Sequence, residues 1–304
     1  MWLPFDPALL GDPPSSLRYE TVELDDDRPV PDSVTEVEFY VPSYRFRPGD
    51  SEVMARMPRL KVVQTQTAGV EHVAPYVPDG VLLCNGRGIH DASTAELAVT
   101  LVLSSLRGIP RFVRAQDRHE WQPFTAPALA DRSVLVVGYG SVGAALEDRL
   151  SGFEVDLVRV ARSARAGDRP VHAVEELPDL LPSADVVVLI TPLTEATRGL
   201  VDADFLARMR HGALLVNVAR GPVVDTDALV AALHTGRIHA ALDVTDPEPL
   251  PADHPLWDAP NLLVSPHVGG ASSAMKPRAH RLVREQLERF AEGRPLGNVM
   301  SGDY

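Results

Sequence analysis

The fold of this chain is decided by Ser133-Val134-Leu135-Val136-Val137-Gly138-Tyr139-Gly140-Ser141-Val142-Gly143. The apolar, β-branched run predicts a buried strand, and the glycines that follow it are spaced as G-x-G-x-x-G. Glycines at this spacing allow a tight turn, a close approach of the backbone to a pyrophosphate, and close packing of the next helix on the strand. The stretch therefore predicts a dinucleotide site, with a glycine-rich connection in another α/β fold as the alternative. The expected cofactor contacts are Gly138, Tyr139, Gly140, Ser141, Val142 and Gly143.

Downstream of this stretch, strand and helix patterns alternate. Six apolar runs have strand length: Val134–Gly138, Val155–Val160, Asp185–Ile190, Ala213–Val218, His239–Val244 and Leu262–Ser265. Helical periodicity lies between some of them, at Val142–Leu150, Asp202–Met209 and Thr226–His234. Because strands that alternate with helices form parallel sheets covered on both faces, this half of the chain is expected to be a doubly wound α/β domain.

The part of the chain before residue 133 has a weaker pattern. Strand-length apolar runs occur at Glu36–Val41, Leu60–Gln64 and Val81–Cys84, each followed by turn or loop residues. A helix is predicted from Asp91 or Ser93 to Leu106, just before Gly108 and Pro110. The last predicted helix, at Lys276–Glu292, can return to this first part of the chain.

The composition argues against several classes of protein. A formal net charge of −13 over 304 residues disfavours binding to nucleic acid or to an anionic membrane. No apolar run is long enough to span a bilayer, and the N-terminus lacks the features of a signal peptide. The single cysteine, Cys84, fits a reducing compartment, so a cytoplasmic protein is expected. Neither zinc-site spacing of cysteine and histidine nor the G-x-S-x-G elbow of serine hydrolases occurs, so no metal site is expected.

Three polar residues follow predicted strands: Arg220, Glu248 and His267. Since ligands bind at the carboxyl ends of the strands in a doubly wound sheet, the three side chains can converge on one crevice. Taken singly, the arginine can tie down a loop, the glutamate can be a solvated turn residue, and the histidine can bond a backbone carbonyl. Together, downstream of a dinucleotide fingerprint, they favour an active site.

These side chains suit the reduction of a 2-keto acid, for which a nicotinamide would supply the hydride. The guanidinium fork of Arg220 can hold a carboxylate by two bonds and polarise the neighbouring ketone. His267 can exchange a proton near neutral pH, and a carboxylate beside it favours the imidazolium and fixes the ring. The predicted activity is therefore hydride transfer between NAD(P)H and a small 2-keto acid, with Arg220, Glu248 and His267 as catalytic residues.

At these motifs the chain resembles the D-isomer-specific 2-hydroxyacid dehydrogenase family, of the glyoxylate and hydroxypyruvate reductase type. The resemblance extends to Leu189–Thr194, Asn217–Gly221, Ala241–Leu250 and Pro266–Gly270, and upstream to Thr67–Glu71 and Asn85–Gly88. It implies two Rossmann-like or flavodoxin-like doubly wound parallel-sheet domains with an active-site cleft between them. The substrate-binding domain is expected to be discontinuous, at 1–98 plus 272–304, and the dinucleotide-binding domain to lie at 99–271.

The resemblance also implies roles for individual residues. Arg220 orients the substrate, Glu248 pairs with His267, and His267 is the acid/base. Amides near Ala68 and Gly69 hold the substrate carboxylate, and Asp243 touches the nicotinamide carboxamide. Further cofactor contacts are expected at Thr191, Pro192, Val218, Ala219, Gly269 and Gly270. The family commonly forms homodimers, which often make contact near Trp121.

The end of the second strand departs from the pattern of NAD-using family members, which usually carry an acidic residue there. In this chain the stretch reads Val158-Arg159-Val160-Ala161-Arg162-Ser163-Ala164-Arg165, and the acidic position falls on Ala161. Two guanidinium groups and a hydroxyl, from Arg162, Ser163 and Arg165, suit a ribose 2′-phosphate. Arg159 and Arg169 extend the same basic cluster. NADP is the expected cofactor, with NAD possible and a solvated basic loop as the alternative.

Two other functions stay open at the level of the sequence. A nucleotide-binding regulatory or sensor protein on the same fold can retain the three polar residues. Among enzymes, a formate- or phosphite-type dehydrogenase is the runner-up, although Glu248 favours a 2-hydroxyacid substrate over formate. The identity of the substrate's side chain is also open, and the loop Tyr40-Val41-Pro42-Ser43-Tyr44 can line its pocket.

Overall fold

A computed structural model describes residues 1–24, 29–44, 50 and 52–300 of the chain. The chain divides into two compact units, Met1–His90 with Ser273–Tyr304 and Asp91–Ser272. The predicted domain boundary after residue 98 falls inside helix α1 (Asp91–Leu106). This helix belongs whole to the second unit, because its buried residues Ala95, Ala98, Leu101 and Val102 pack in that unit's core.

The first unit contains a sheet of five parallel strands in the order β2-β1-β3-β4-β5, which is the flavodoxin-like order. The strands are β1 (Trp2–Leu3), β2 (Glu20–Thr21), β3 (Phe39–Tyr40), β4 (Val62–Gln64) and β5 (Leu82–Cys84). The sequence pattern predicts the last three and misses β1 and β2, which are two residues long and too short to show an alternation of apolar side chains.

Neighbouring side chains of the first sheet enter different cores. Tyr40 and Val63 pack on one face, whereas Phe39 and Val62 pack on the other. The second face is covered by the C-terminal helix α7 (Met275–Ala291). A buried amide pair fastens this helix, since Gln286 Nε2 donates to Gln64 Oε1 at 2.8 Å. The predicted C-terminal helix thus returns to the first part of the chain.

The second unit contains seven parallel strands in the order β12-β11-β10-β9-β6-β7-β8. They are β6 (Ser133–Val137), β7 (Asp156–Ala161), β8 (His172–Ala173), β9 (Val186–Leu189), β10 (Leu214–Asn217), β11 (His239–Leu242) and β12 (Leu262–Val264). All six predicted strands are present, and only the two-residue β8 is missed. The order is that of a doubly wound sheet with one further strand, so the predicted fold class is confirmed for both units.

Helices connect these strands and cover both faces of the sheet. Helices α3 (Ser141–Leu150), α4 (Leu177–Leu180), α5 (Ala203–Arg208) and α6 (Thr226–His234) lie between the strands, α1 packs in the same core as α3, and α2 (Ile109–Asp117) follows α1. Aspartates cap two of them: Asp202 accepts from the amide of Phe205 and Asp225 from that of Ala228. Of the helices within the described residues, none has the length and apolar character needed to cross a membrane.

Candidate active site

Five strands of the second sheet end in register at one edge. Val137 of β6 pairs with Leu189 of β9, and the pairing continues to the strand ends Asn217, Leu242 and Val264. The residues that follow these ends therefore begin at the same level of the sheet. This register brings the glycine loop and the loops that carry Arg220, Glu248 and His267 to one edge, where doubly wound sheets bind their ligands.

The glycine loop touches the residues that follow β9. Gly138 has φ +103°, and a Cβ at this position would lie 2.6 Å from the backbone of Ile190 and Thr191. Only glycine permits both this conformation and this approach. At Gly140, by contrast, a Cβ would meet no atom within 4 Å, so the backbone borders open space on that side.

This loop fits a dinucleotide. The amides of Gly138 and Tyr139 both donate to Val160 O at 2.9 Å, which fixes the turn. Helix α3 begins immediately afterwards at Ser141, and the amides of its first turn have no acceptor inside the helix. Amides at a helix N-terminus are suitable partners for a pyrophosphate. The Thr191 hydroxyl is buried and has no hydrogen-bond partner in the part of the chain that the structure describes. It supplies a polar group for a ligand beside the loop.

The four arginines near the end of β7 are not equivalent, which corrects their treatment as one cluster. Arg159 makes two hydrogen bonds to the Glu147 carboxylate, at 2.7 and 2.6 Å, and Arg169 lies 3.4 Å from it. Arg162 and Arg165 are exposed and form no ion pair among the described residues. Strand β7 ends at Ala161, so these two arginines and Ser163 directly follow the strand end.

Glu147 had no role in the sequence analysis, and its importance comes from its partners. Besides Arg159, it accepts a hydrogen bond from the Tyr139 hydroxyl of the glycine loop. The pKa of Glu147 is lowered to about 2, first by the hydrogen bonds from Arg159 and against the opposing effect of burial. The carboxylate is therefore ionised at neutral pH and neutralises part of the basic charge at the end of β7.

Arg220 lies on a loop that is held from two sides. Asn217 ends β10, and its side chain accepts from the amide of Ala219 and donates to Arg220 O, both at 3.0 Å. A Cβ on Gly221 would lie 1.9 Å from Thr245 O, so this glycine lets the loop contact the segment after β11. The sequence analysis gives Asn217 no role of its own. An asparagine that ends an otherwise apolar strand is the signal that identifies its role.

Glu248 and His267 are in direct contact, as predicted for an acid/base pair. His267 Nδ1 lies 2.5 Å from Glu248 Oε1, and both side chains are partly exposed. His267 has φ 52°, an unfavourable value for a residue with a Cβ and one that is often found at functional sites. Its amide donates to Asp243 O at 2.7 Å. Because Nδ1 is engaged, Nε2 is the ring nitrogen left for a substrate.

Asp243 holds the turn that carries His267. The residue is only 2% exposed, and its carboxylate accepts from Ser265 Oγ at 2.7 Å and from the amides of Val268 and Gly269 at 2.9 and 2.8 Å. Charge-assisted bonds of this kind are stronger than neutral ones. The expected contact of Asp243 with a nicotinamide carboxamide stays a prediction. What the structure describes is a positioning role, and Ser265 joins the site as a residue that the sequence analysis missed.

The two residues expected to hold a substrate carboxylate, Ala68 and Gly69, lie in the first unit, on the loop that follows β4. Asn85 donates to Ala68 O at 3.0 Å, and the hydroxyl of Thr67 donates to Gly69 O at 2.8 Å. The amide of Gly86 donates to Thr67 O at 2.7 Å. Side chains and backbone therefore fix the course of this loop, and its role stays a prediction.

The family is settled by a match over the second unit. The model of the "D-isomer specific 2-hydroxyacid dehydrogenase, NAD binding domain" family matches residues 99–269. The chain belongs to this family. Among its relatives, a glyoxylate reductase of Thermofilum pendens is 35% identical over an alignment of 258 residues that covers 80% of this chain and 76% of the relative.

Solved structures of family members are similar over nearly the whole chain. A D-isomer specific 2-hydroxyacid dehydrogenase from Xanthobacter autotrophicus Py2, in complex with NADPH and MES, has a TM-score of 0.81 at 34% identity and covers 94% of this chain and 90% of its own. An NADPH-dependent glyoxylate/hydroxypyruvate reductase from Sinorhizobium meliloti, in complex with NADP and sulfate, has a TM-score of 0.82 at 26% identity, with coverages of 97% and 93%.

Membership of the family confirms the predicted class of activity. The chain is an NAD(P)-dependent oxidoreductase of the 2-hydroxyacid dehydrogenase type, which transfers a hydride to a 2-keto acid. These relatives do not favour the two alternatives, a regulatory nucleotide sensor and a formate- or phosphite-type dehydrogenase.

The three bonds of Asp243 make a testable prediction. We expect Asp243→Asn to lower the free energy of unfolding by about 1–3 kcal/mol, because the side-chain amide leaves a buried backbone donor without its acceptor. The turn that carries His267 should loosen, so kcat should fall as well. Urea denaturation and steady-state kinetics measure the two effects. Ser265→Ala, which removes one donor and keeps the carboxylate, is the matched control and should cost less. Wild-type stability and kcat in Asp243→Asn would contradict the positioning role.

Proposed function

We propose that this protein reduces a small 2-keto acid of the glyoxylate or hydroxypyruvate class to the D-2-hydroxy acid, with NADPH as the preferred cofactor. The observation that carries the proposal is the contact between His267 and Glu248 at the sheet edge that also bears the glycine loop. Two relatives that are glyoxylate reductases, from Thermofilum pendens and Sinorhizobium meliloti, support this substrate class.

The chain's own residues then divide the work of the reaction. A nicotinamide bound at this edge of the sheet would supply the hydride for the carbonyl carbon. Arg220 holds the substrate carboxylate through its guanidinium fork and polarises the ketone oxygen. His267 donates a proton from Nε2 to that oxygen, and Glu248 fixes the ring through Nδ1 so that Nε2 points to the substrate. In the oxidative direction His267 Nε2 accepts the proton from the hydroxyl group. We retain the amides of Ala68 and Gly69 as further partners of the carboxylate.

Substitutions of the three residues test this division. We expect His267→Asn to lower kcat about 10²- to 10⁴-fold, because the proton donor is lost. Arg220→Lys should lower kcat/KM about 10- to 100-fold, mainly through KM, because one cation replaces a two-bond fork. Glu248→Gln should lower kcat and leave KM nearly unchanged, since the imidazole loses its orienting carboxylate. Initial rates with glyoxylate and hydroxypyruvate measure these effects.

Asp253→Asn is the matched control for Glu248→Gln, because it removes an exposed carboxylate from the same loop. Its kcat should equal that of the wild type. A His267→Asn variant that turns over either keto acid at nearly the wild-type rate would rule out the assigned acid/base.

The preference for NADPH rests on the end of β7. Ala161, the last residue of this strand, has no carboxylate to accept a hydrogen bond from the ribose 2′-hydroxyl and none to repel a 2′-phosphate. The exposed Arg162 and Arg165 follow it and have no competing carboxylate among the described residues. Solved relatives in complex with NADPH or NADP support the same choice.

We expect wild-type kcat/KM to favour NADPH over NADH by at least about tenfold, which corresponds to about 1.4 kcal/mol. The double variant Arg162→Ala/Arg165→Ala should lose most of this preference, because both cations that can face the phosphate are gone. Arg169→Ala is the matched control, since Arg169 is already paired with Glu147 and Asp148. A wild-type enzyme that prefers NADH would contradict the cofactor choice and leave the assigned reaction intact.

A homodimer is the third part of the proposal. Helix α2 and the segment after it expose an apolar surface, which we call the arm surface: Ile109, Phe112, Val113 and Trp121. Trp121 is 95% exposed, and a groove of about 570 Å³ lies among residues 112–123. Exposed apolar side chains that are grouped in one segment mark interaction sites, and a second copy of the chain is the commonest partner.

We expect the wild type to be a dimer at micromolar concentration and Trp121→Glu to shift it toward the monomer, because a charge would then be buried in the interface. Analytical ultracentrifugation measures the two masses. Trp257→Glu is the matched control, since Trp257 is also exposed but lies outside the arm surface. A monomeric wild type at high concentration would overturn this part of the proposal.

A further inference from the structure

Tyr139 is the side chain of the glycine loop that the reaction does not explain. The fingerprint requires only glycines around it, so a large aromatic residue here needs a separate reason. Its ring is held firmly: the hydroxyl donates to Glu147, and Cδ2 lies 3.2 Å from the position that a Cβ on Gly143 would occupy. The amide of Tyr139 donates to Val160 O. Backbone and side chain are therefore both fixed before any ligand binds.

Arg165 lies on this ring. Its guanidinium carbon is 5.7 Å from the ring centroid of Tyr139, within the range of a cation–π contact. Its Nη2 donates to Tyr139 O at 2.7 Å. The backbone of Arg165 is also fixed, because its N–H and C=O exchange two hydrogen bonds of 2.9 Å with Val171. An exposed arginine is thus ordered at both ends, although it has no carboxylate partner in the described part of the chain.

Glu147 completes the arrangement. It accepts from Tyr139 and from Arg159, and Arg159 also lies 5.7 Å from the centroid of the tyrosine ring. The Glu147 carboxylate therefore anchors the Tyr139 ring. It also neutralises Arg159, the second guanidinium group that lies over this ring. Of the two guanidinium groups over the ring, that of Arg165 is the one whose charge no described carboxylate compensates.

We propose that Tyr139 is the positioning residue for cofactor selection: it presents Arg165, between the glycine loop and the end of β7, to the ribose 2′-phosphate. This inference rests on the proposed preference for NADPH. A free arginine loses rotamer freedom when it binds a phosphate, and a side chain that is already ordered loses less. Tyr139 therefore raises the affinity for the phosphorylated cofactor through Arg165 and need not touch the phosphate itself.

The test is a double-mutant cycle between Tyr139→Leu and Arg165→Ala, in the full-length protein. Titration calorimetry with 2′,5′-ADP and with 5′-AMP measures the effect of the 2′-phosphate without turnover, and KM for NADPH and NADH is measured beside it. We expect Tyr139→Leu to weaken 2′,5′-ADP about fivefold to tenfold more than 5′-AMP. In the Arg165→Ala background, Tyr139→Leu should weaken the binding of 2′,5′-ADP and of 5′-AMP equally, because the arginine that Tyr139 positions is absent.

Tyr139→Phe separates the ring from its anchor. It keeps the surface under Arg165 and loses only the hydroxyl, so it should retain most of the discrimination and fold like the wild type. Equal weakening of both nucleotides by Tyr139→Leu would show a merely structural role and overturn the inference. Additive effects of the two substitutions would overturn it as well. The wild-type preference is read in the same titrations: if 2′,5′-ADP binds no better than 5′-AMP, the proposed cofactor choice fails and this inference fails with it.

Discussion

The parallel pairing of β6 with β9 is the constraint on which the rest of the second unit depends. These strands are neighbours in the sheet but not in the sequence, and the chain leaves them toward opposite sides, which opens a crevice at their carboxyl ends. At the base of this crevice, the backbone of Gly138 packs directly on that of Ile190 and Thr191. Because the strand ends are in register, the glycine loop and the loops that carry Arg220, Glu248 and His267 begin at the same edge of the sheet.

Polar groups at this edge are ordered by bonds that the chain makes within itself. A buried carboxylate, Asp243, arranges the turn that carries His267, and a buried amide, Asn217, arranges the loop that carries Arg220. Both groups sit at strand ends, where the backbone leaves the ladder of the sheet and needs other partners. The same residues thus satisfy backbone groups and fix the loops that carry the two candidate catalytic side chains, as a preorganised site requires.

Local signals in the sequence were enough to predict much of the fold. The strands of the second unit are four to six residues long in most cases and almost wholly apolar, so their pattern is visible without a partner. The resemblance to the family implied the pairing of Glu248 with His267, and the two side chains are in contact in the structure. The strands β1, β2 and β8 were not predicted, because two residues are too few to show an alternating pattern. Only their pairing with neighbouring strands identifies them.

By itself, the sequence determined the doubly wound class, the glycine loop and the choice of candidate catalytic side chains, because these depend on motifs and their spacing along the chain. Only the tertiary structure decided which arginine charges are left unpaired by carboxylates of the described chain and are available to a ligand. Glu147 is twelve residues from Arg159, yet the two side chains form an ion pair because α3 lies beside β7. Glu147 also pairs with Arg169, and Arg162 and Arg165 are left without a carboxylate among the described residues. Likewise, Asp243 is bonded to residues 22–26 positions away. Such partners are determined by distances in the folded chain, and these distances cannot be read from the order of the residues.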